Sequence, residues 1–435
     1  MSLQQRAIRG AILDFVDDPA LSGDDAWRYI EDGILWIEDG RVKKTGSYEE
    51  LSAELPESIE LHEYAHHLIL PGFIDTHIHY PQTEMIAAYG ERLLEWLETY
   101  TFPVESKFSD EAYGREIASV FLDELLKNGT TTALVFGTVH PESVDAFFTE
   151  AQQRRLRMIA GKVMMDRNAP DFICDEADES YADSKALIER WHGVDRLQYA
   201  VTPRFAPTST DRQLELAGKL LKEYPSVYMH THLAENVEEC AWVAELFPQS
   251  KHYLDVYDQA GLLSERSVFA HGIHLCDDAC ERLSETGSAI AHCPTSNLFL
   301  GSGLIELERL AEKGVQVGVG TDVGGGTSFS MFQTLADAYK VQAMRNRKLD
   351  PFRALYLATL GGARALDLEG YIGNFEPGCE ADFITIDLHA TPFLKFRTER
   401  CRSLFETLFV LNTLGDDRLI DTTWVMGEIA HRRDS

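Results

Sequence analysis

Residues 70–79 have the sequence Leu70-Pro71-Gly72-Phe73-Ile74-Asp75-Thr76-His77-Ile78-His79, an apolar run that leads into two histidines. Alternate residues of an extended chain share a face, so His77 and His79 can point in the same direction. Two imidazoles on one face are half of a zinc site. An isolated His-x-His pair more often caps a strand and bonds to backbone atoms. The residues that follow later strands distinguish these two interpretations.

The chain from about residue 68 alternates apolar strands with helical segments. One helix is predicted from Asp110 to Asn128, where Asn128-Gly129 is a normal C-terminal stop. Most strand cores are continuous apolar runs, which are typical of parallel strands buried on both faces. Eight strand–helix units over roughly 300 residues predict a (β/α)8 barrel. The predicted cores are 68–75, 131–137, 157–165, 197–203, 226–231, 267–271, 288–293 and 315–321.

An open, doubly wound sheet is the alternative α/β fold. Such a sheet commonly carries a G-x-G-x-x-G phosphate-binding turn after a strand. Gly324-Gly325-Gly326 follows a strand here but lacks that spacing. The pattern therefore favours the barrel.

Both ends of the chain predict short β-strands. The N-terminal part contains a loosely alternating run at 7–15 and a hairpin at Asp39-Gly40. The C-terminal part contains an alternating strand within 372–387 and a second hairpin at 425–430. Neither set has enough strands to be stable alone. We therefore predict one small β-sandwich domain built from residues 1–66 and 371–435, beside a barrel of residues 67–370.

The composition restricts the class of partner. The 435 residues are 44% hydrophobic and carry a formal net charge of −31. This hydrophobic content supports a large buried core, and the negative charge argues against nucleic acid or an anionic membrane as a partner. The sequence shows neither a signal peptide pattern nor a run long enough to span a bilayer. We therefore expect a cytoplasmic protein.

Seven scattered cysteines fit a reducing compartment better than a disulfide framework. Cys276 and Cys280, with His274 nearby, could form a structural zinc knuckle. A second Cys/His pair with suitable spacing does not follow them, so a helical surface is the favoured location for these two cysteines.

Polar side chains follow several predicted barrel strands, at the ends where such barrels place their active sites. Each group comes directly after an apolar run, and together they favour a functional site over strand capping. The groups are His77 and His79, Arg204 and Phe205, His230 to Glu235, His271, and Asp322.

Three imidazoles and one carboxylate can hold zinc or iron, which lowers the pKa of bound water toward neutrality. His77, His79, His232 and Asp322 form such a set. His230 could compete as a ligand because it alternates with His232. We prefer His232 because of its spacing to Glu235.

Glu235 lies three residues after a predicted ligand and can reach the same cavity without binding metal. We predict that it shuttles a proton from the attacking water to a ring nitrogen and the leaving amine. His271 would orient that water by a hydrogen bond. His292 is expected to be a barrel-end histidine whose hydrogen bonds are satisfied.

Several segments resemble the amidohydrolase superfamily and, within it, the guanine deaminases. The resemblance covers the chain from about residue 68 to the end. The segments are PGFIDTHIHYPQ, LLEWLETYTFP, TPRFAPTS, HTHLAEN, FAHGIHL, HCPTSNLFLGSG and GVGTDVGGGTSFSM.

This resemblance implies a metal-dependent barrel with a flanking β-sandwich, conversion of guanine to xanthine and ammonia, and a homodimer. It implies one Zn²⁺ per subunit, with Fe²⁺ as the alternative ion, bound by His77, His79, His232 and Asp322. The predicted substrate-binding residues are Gln82, Trp96, Arg204, Phe205, His232 and Glu235. The predicted catalytic residues are Glu235, His271 and Asp322.

The side-chain chemistry agrees with a planar purine. Arg204 is a permanent donor suited to a carbonyl oxygen, and Gln82 can both donate and accept. Phe205 and Trp96 offer flat apolar surfaces, although ordinary core packing is an equal alternative for Trp96. Binuclear relatives bridge two metals with a modified lysine after strand four. Because Arg204 stands there instead, one metal is expected.

Two alternatives remain open at this point. The chain could be a related aminohydrolase or chlorohydrolase that acts on another heterocycle, such as a pterin or an oxidised guanine. It could be an inactive relative that serves as a scaffold. The other known deaminase class, with H-x-E and P-C-x-x-C motifs, is disfavoured because the second motif is absent.

Overall fold

The computed structural model describes residues 5–89 and 93–434. Its strands fall into one parallel and one mixed sheet. The strands are β1 (Gln5–Phe15), β2 (Trp27–Glu38), β3 (Arg41–Ser47), β4 (Glu60–Pro71), β5 (Phe73–His79), β6 (Thr130–Phe136), β7 (Arg157–Gly161), β8 (Val163–Met164), β9 (Gln198–Pro203), β10 (Tyr228–Leu233), β11 (Ser267–His271), β12 (Ala289–His292), β13 (Gln316–Val319), β14 (Phe383–Asp387), β15 (Ile420–Val425) and β16 (Glu428–Arg432).

The helices lie mostly between the strands of the parallel sheet. They are α1 (Pro19–Ser22), α2 (Tyr48–Leu51), α3 (Leu93–Trp96), α4 (Phe102–Glu105), α5 (Glu111–Lys127), α6 (Pro141–Gln153), α7 (Ala177–Trp191), α8 (Asp211–Glu223), α9 (Val237–Leu246), α10 (Tyr253–Gln259), α11 (Asp277–Thr286), α12 (Pro294–Phe299), α13 (Leu307–Glu312), α14 (Met331–Met344), α15 (Pro351–Leu357), α16 (Leu360–Ala365), α17 (Pro392–Thr398) and α18 (Leu404–Leu414).

Eight parallel strands form a nearly closed barrel in the order β5-β6-β7-β9-β10-β11-β12-β13, with β8 paired to β9. Hydrogen bonds join the two outer strands: the Thr76 hydroxyl donates to the Val319 carbonyl at 2.9 Å, and the Asp322 N–H donates to the His77 carbonyl at 2.9 Å. The predicted (β/α)8 barrel is therefore confirmed. Its closure brings the first and last strand ends, both rich in polar residues, to the same place.

The first predicted strand core, 68–75, is wrong as a single strand. Residues up to Pro71 belong to β4, which pairs with β14 of the mixed sheet, and the first barrel strand begins at Phe73. The break falls at Gly72, where a Cβ atom would lie only 2.2 Å from the Thr131 hydroxyl oxygen. One apolar run thus serves two sheets, which an apolar pattern alone cannot reveal.

The mixed sheet combines strands from both ends of the chain, in the order β16-β15-β14-β4-β1-β2-β3. The two predicted hairpins are confirmed at Asp39-Gly40 and Met426-Gly427, where all four residues have positive φ. Such paired positive values are characteristic of tight two-residue hairpin turns. The predicted union of the two termini in one β unit is therefore also confirmed.

The predicted helix at 110–128 is observed as α5. Asp110 caps its N-terminus by accepting from the Ala112 N–H at 2.9 Å, and Gly129 follows its end with φ of +81°. Phe121, Leu122 and Leu125 on one face pack into the main hydrophobic core. This apolar layer between the helices and the outer face of the barrel holds the strands that carry the site.

The domain boundaries at residues 66 and 370 stay predictions, and their outermost residues, 1–4 and 435, lie outside the described residues. None of the helices in the described parts of the chain combines the length and apolarity that a bilayer span requires. The seven cysteines are all free of disulfide bonds.

Candidate active site

Four side chains at the ends of three barrel strands, buried except for the half-buried His232, direct donor atoms toward one point. The Nε2 atom of His79 lies 3.2 Å from that of His77 and 3.3 Å from that of His232. Asp322 Oδ1 lies 3.1 Å from His77 Nε2 and 3.3 Å from His79 Nε2. A tetrahedron with ligand bonds of about 2.0–2.1 Å has edges of about 3.3 Å. The donor set therefore fits an ion of the size of Zn²⁺.

The hydrogen bonds behind this site orient two of the imidazoles. His77 Nδ1 lies 2.8 Å from His230 Nε2, and His232 Nδ1 lies 2.6 Å from the Arg204 carbonyl. The carbonyl can only accept, so His232 donates from Nδ1 and leaves the lone pair of Nε2 for a cation. His230 Nε2 is thus hydrogen-bonded to His77, which agrees with the preference for His232 as the predicted ligand.

The electrostatics of the site also favour a cation. Burial lowers the pKa of His79 to about 4 and also lowers the pKa of His77 and His232, so these imidazoles are neutral at neutral pH. Burial opposes ionisation of Asp322, but the adjacent His77 holds the pKa of its carboxyl well below the usual value. Neutral imidazoles and an ionised carboxylate are the forms that bind metal.

Asp75 joins the first and last strands of the barrel below the metal-binding atoms. Its Oδ1 accepts the N–H groups of His77 and Thr321, both at 3.1 Å, and its Oδ2 accepts the Thr321 hydroxyl at 2.5 Å. Because Asp322 follows Thr321 directly, this carboxyl group aligns ligands from two strands that are 246 residues apart in sequence.

Glu235 lies in the loop after β10, fully inside the cavity. The Ser302 hydroxyl donates to its Oε1 at 2.9 Å, and its backbone N–H donates to the Glu239 carboxyl at 2.9 Å. Burial and the charge of Asp322 raise the pKa of Glu235 to about 8. A carboxyl group with such a pKa can take up and release a proton near neutral pH.

His271 lies between Glu235 and Asp322. Its Nε2 atom is 3.4 Å from Glu235 Oε2 and 3.8 Å from Asp322 Oδ2, and its Nδ1 atom is 2.8 Å from Asn297 Oδ1. Asn297 therefore orients the ring from behind, so that Nε2 faces the space between the two carboxylates.

The remaining predicted substrate residues form the wall of the same cavity, which is lined by His79, Gln82, Trp96, Leu97, Arg204, Phe205, His232, Glu235, His271, Leu300, Asp322 and Gly325. Gln82 lies in a 3₁₀ segment directly after β5, and Arg204 and Phe205 follow β9. Trp96 and Phe205 are both buried. The structure thus brings every predicted site residue except His77 to the cavity wall, and His77 Nε2 lies 3.2 Å from His79 Nε2.

One expectation about the other residues is not met, and one agrees with the structure. His292 is buried as expected, but neither ring nitrogen has a hydrogen-bond partner among the described protein atoms, so the prediction that its hydrogen bonds are satisfied is wrong. Cys276 directly precedes α11 and Cys280 lies within it, in agreement with the helical location that the sequence favoured over a zinc knuckle. His274 Nε2 lies 2.9 Å from the Ser302 carbonyl oxygen.

Sequence reasoning missed four residues that support the site: Asp75, Glu105, Asn297 and Ser302. Asp75 lies within residues 70–79, and Asn297 and Ser302 lie within the motif HCPTSNLFLGSG. Their positions in segments that carry other site features could have marked them as candidates. Glu105 had no such signal, because no spacing connects it to Arg204.

The comparisons with known proteins agree with this geometry. The sequence from residue 68 to residue 430 matches the amidohydrolase family. This chain belongs to the amidohydrolase family. The resemblance predicted from the sequence motifs is therefore confirmed.

Relatives within the amidohydrolase family cover nearly the whole chain. Guanine deaminase of Escherichia coli (strain K12) is 53% identical over 432 residues, which are 99% of this chain and 98% of that protein. The solved structure of E. coli guanine deaminase superimposes with a TM-score of 0.96 over 99% of this chain and 100% of that one. Guanine deaminase from C. acetobutylicum with bound guanine is 28% identical, with a TM-score of 0.88 over 98% of this chain and 99% of that chain.

Proposed function

We propose that this protein hydrolyses guanine to xanthine and ammonia in purine catabolism or salvage. The observation that carries the proposal is the placement of four convergent donor atoms beside a buried carboxyl group, in a cavity whose wall holds Arg204 and Gln82. The 53% identity with a guanine deaminase supports the same activity.

His77, His79, His232 and Asp322 would hold one Zn²⁺ or Fe²⁺ ion. When bound there, such an ion acts as a Lewis acid and lowers the pKa of water toward neutrality. A bridging lysine is absent after β9, where Arg204 stands, so we expect about one equivalent of metal per subunit. Elemental analysis checks this, and two fully occupied metals that are both needed for activity would contradict it.

Glu235 and His271 act on the attacking water. Glu235 accepts one proton from the water as the oxygen bonds to C2 and delivers it to a ring nitrogen. It then takes the second proton from the new C2 hydroxyl and delivers it to the amine, so that the C–N bond breaks, ammonia leaves and the C2 carbonyl of xanthine forms. His271 holds the water by a hydrogen bond from the other side. The 3.4 Å separation of His271 Nε2 and Glu235 Oε2 supports this shared role.

Arg204, Gln82, Phe205 and Trp96 bind the base. The guanidinium donates to the carbonyl oxygen of guanine, and the Gln82 amide pairs with a donor or acceptor on the ring edge. The rings of Phe205 and Trp96 pack against the plane of the purine. These contacts select a flat, neutral heterocycle with a carbonyl group.

The deciding experiment measures ammonia release by metal-replete protein from guanine and, in parallel, from adenine, a pterin and an oxidised guanine, together with chloride release from a chlorinated triazine. We expect guanine to give the highest kcat/KM. A higher value for another heterocycle would reassign the substrate. Absence of turnover on all of them, with metal bound, would favour a scaffold.

We further propose that the protein is a cytoplasmic homodimer. The free state of all seven cysteines supports a reducing compartment. Resemblance to the family is the support for the dimer. Sedimentation equilibrium checks the oligomeric state, and a single monomeric species at micromolar concentration would contradict it.

A further inference from the structure

Glu105 connects the two polar side chains of the cavity wall. It is 1% exposed, and its carboxylate accepts two hydrogen bonds from Arg204, Nη1 to Oε2 at 2.7 Å and Nη2 to Oε1 at 3.1 Å. Gln82 Nε2 donates to the same Oε1 atom at 3.1 Å. The carboxylate thus holds three N–H groups without touching the four metal-binding atoms.

The orientation of Gln82 follows from its partners. An ionised carboxylate can only accept, and a backbone N–H can only donate. The Gln82 amide therefore presents Nε2 to Glu105 and Oε1 to the Gly324 N–H, which lies 3.1 Å away. Without Glu105, only the Gly324 N–H would hold the amide in this orientation.

Arg204 is held in the same way. A guanidinium group has five N–H donors in one plane, and two hydrogen bonds to the two oxygens of one carboxylate fix that plane. The Phe102 ring, one turn before Glu105 on α4, packs against the guanidinium at 5.4 Å. A single short helix therefore sets both the plane and the position of the arginine.

Glu105 also balances the charge of Arg204, which is 2% exposed. A buried guanidinium without a counter-charge attracts anions strongly, because few water molecules screen it. With Glu105 present, the Arg204 side of the cavity is close to neutral and still offers the unused N–H donors of the arginine. Such a wall suits a neutral purine better than a purine anion.

We propose that Glu105 is a positioning and specificity-determining residue, which orients Arg204 and Gln82 toward the substrate and excludes anionic purines by neutralising Arg204. This inference rests on the proposed function for its choice of substrate. The contacts themselves do not depend on the reaction.

The kinetic test compares Glu105→Gln with the wild type. The substitution keeps the size of the side chain but removes its charge. We expect KM for guanine to rise by about tenfold or more, because the charge-assisted hydrogen bonds between Glu105 and Arg204 are lost. We expect kcat to fall by a smaller factor, because Glu105 touches no reacting atom. Urate, an anion at neutral pH, should inhibit the variant about tenfold more strongly than the wild type.

Glu84→Gln is the matched control. Like Glu105, Glu84 accepts hydrogen bonds from two side chains, in this case Lys107 and Tyr113, which follow α4 in the sequence. Unlike the groups that Glu105 holds, Glu84 and its two partners do not line the cavity. The control should leave the ratio of KM for guanine to the inhibition constant of urate unchanged. If Glu105→Gln weakens guanine and urate equally, or leaves both unchanged, the specificity role is wrong.

A crystal structure of Glu105→Ala tests the positioning role independently of the substrate. We expect the Arg204 guanidinium to turn away and the Gln82 amide, then held only by the Gly324 N–H, to move from its wild-type position, with the metal-binding side chains in place. Unmoved Arg204 and Gln82 side chains would overturn the proposal. A wild-type protein that does not deaminate guanine would contradict the proposed function but not this structural result.

Discussion

At the scale of single residues, the site depends on groups that hold one protonation state and one orientation. The Arg204 carbonyl fixes His232, His230 pairs with His77, and Asn297 orients His271. Side chains held in this way lose little freedom when a metal or substrate binds. The residue with a different task is Glu235, which must gain and lose a proton.

Glu235→Gln should reduce turnover of guanine by roughly two to four orders of magnitude, because the amide keeps the shape of the side chain but cannot accept the proton. The Ser302 hydroxyl can still donate to the amide oxygen, so the loop should keep its place. Steady-state kinetics gives the effect. Elemental analysis is the control, since metal content should stay normal, and near-normal turnover would show that another acid carries the proton.

Arg204→Met should lower kcat/KM for guanine by about tenfold to several hundredfold, because methionine keeps the apolar stem but removes the donors. The wild type should reject adenine by at least about a hundredfold, since adenine presents an amine where guanine has a carbonyl oxygen. Steady-state kinetics on both purines measures this.

The single change at Arg204 also leaves Glu105 buried without its partner, which lowers stability. The double variant Arg204→Met/Glu105→Leu removes both charges and is the control for that effect. Guanine kinetics unchanged in either variant would show that the arginine serves the strand-four loop rather than the base.

At the scale of elements, the site depends on how closely the barrel strands approach one another. Gly161 ends β7, and a Cβ atom there would lie 1.7 Å from the Ala200 carbonyl oxygen of β9. Such a contact is impossible without separating the two strands. Because β9 leads directly to Arg204, the spacing of β7 and β9 affects the position of Arg204 in the cavity wall.

Gly161→Ala should therefore destabilise the protein by about 1–3 kcal/mol, even though alanine is otherwise favourable relative to glycine in a strand. Gly46→Ala in β3 is the control, because its new Cβ would meet side-chain atoms rather than backbone, the nearest being those of Leu51 at 3.2 Å and Glu50 at 3.6 Å. Urea unfolding of both variants gives the comparison. Equal stability of the two variants would mean that β7 and β9 adjust without cost.

At the scale of the whole molecule, a buried ion-pair network joins the barrel to the mixed sheet. Glu380, which precedes β14, accepts from Arg157 Nη2 at 2.6 Å and from Arg196 Nη1 at 2.7 Å. Arg157 begins β7, and Arg196 also pairs with Asp382 at 2.7 Å. Burial opposes ionisation of Glu380, but the two arginines outweigh it and hold the pKa of the carboxyl below its usual value.

Glu380→Gln should cost about 3–5 kcal/mol of unfolding free energy near neutral pH, because it removes the counter-charge of the buried Arg157 and of the half-buried Arg196. A carboxyl with a lowered pKa stabilises the fold above its unfolded pKa of about 4.3 and loses that contribution as the pH falls. The difference between wild type and variant should therefore shrink below about pH 4. Urea unfolding across this range tests it, with exposed Glu57→Gln as control, and a pH-independent difference would contradict it.

The sequence by itself determined the barrel, the two hairpins and the residues at the strand ends. These features follow from local rules. Alternate residues in a strand share a face, buried parallel strands are continuously apolar, and active-site residues follow barrel strands. His77, His79, His232 and Asp322 could be selected on those rules alone, although their roles as ligands stay predictions.

Only the tertiary structure decided which distant groups meet. It divided the apolar run at Gly72 between two sheets, and it placed Glu105 against Arg204, 99 residues away in sequence. It also paired His230 with His77 through a hydrogen bond. Local spacing alone could not distinguish His230 from His232 as the predicted ligand. The physical reason is that strand type and side-chain direction depend on neighbours along the chain, whereas the partner of a buried charge depends on how separate segments pack.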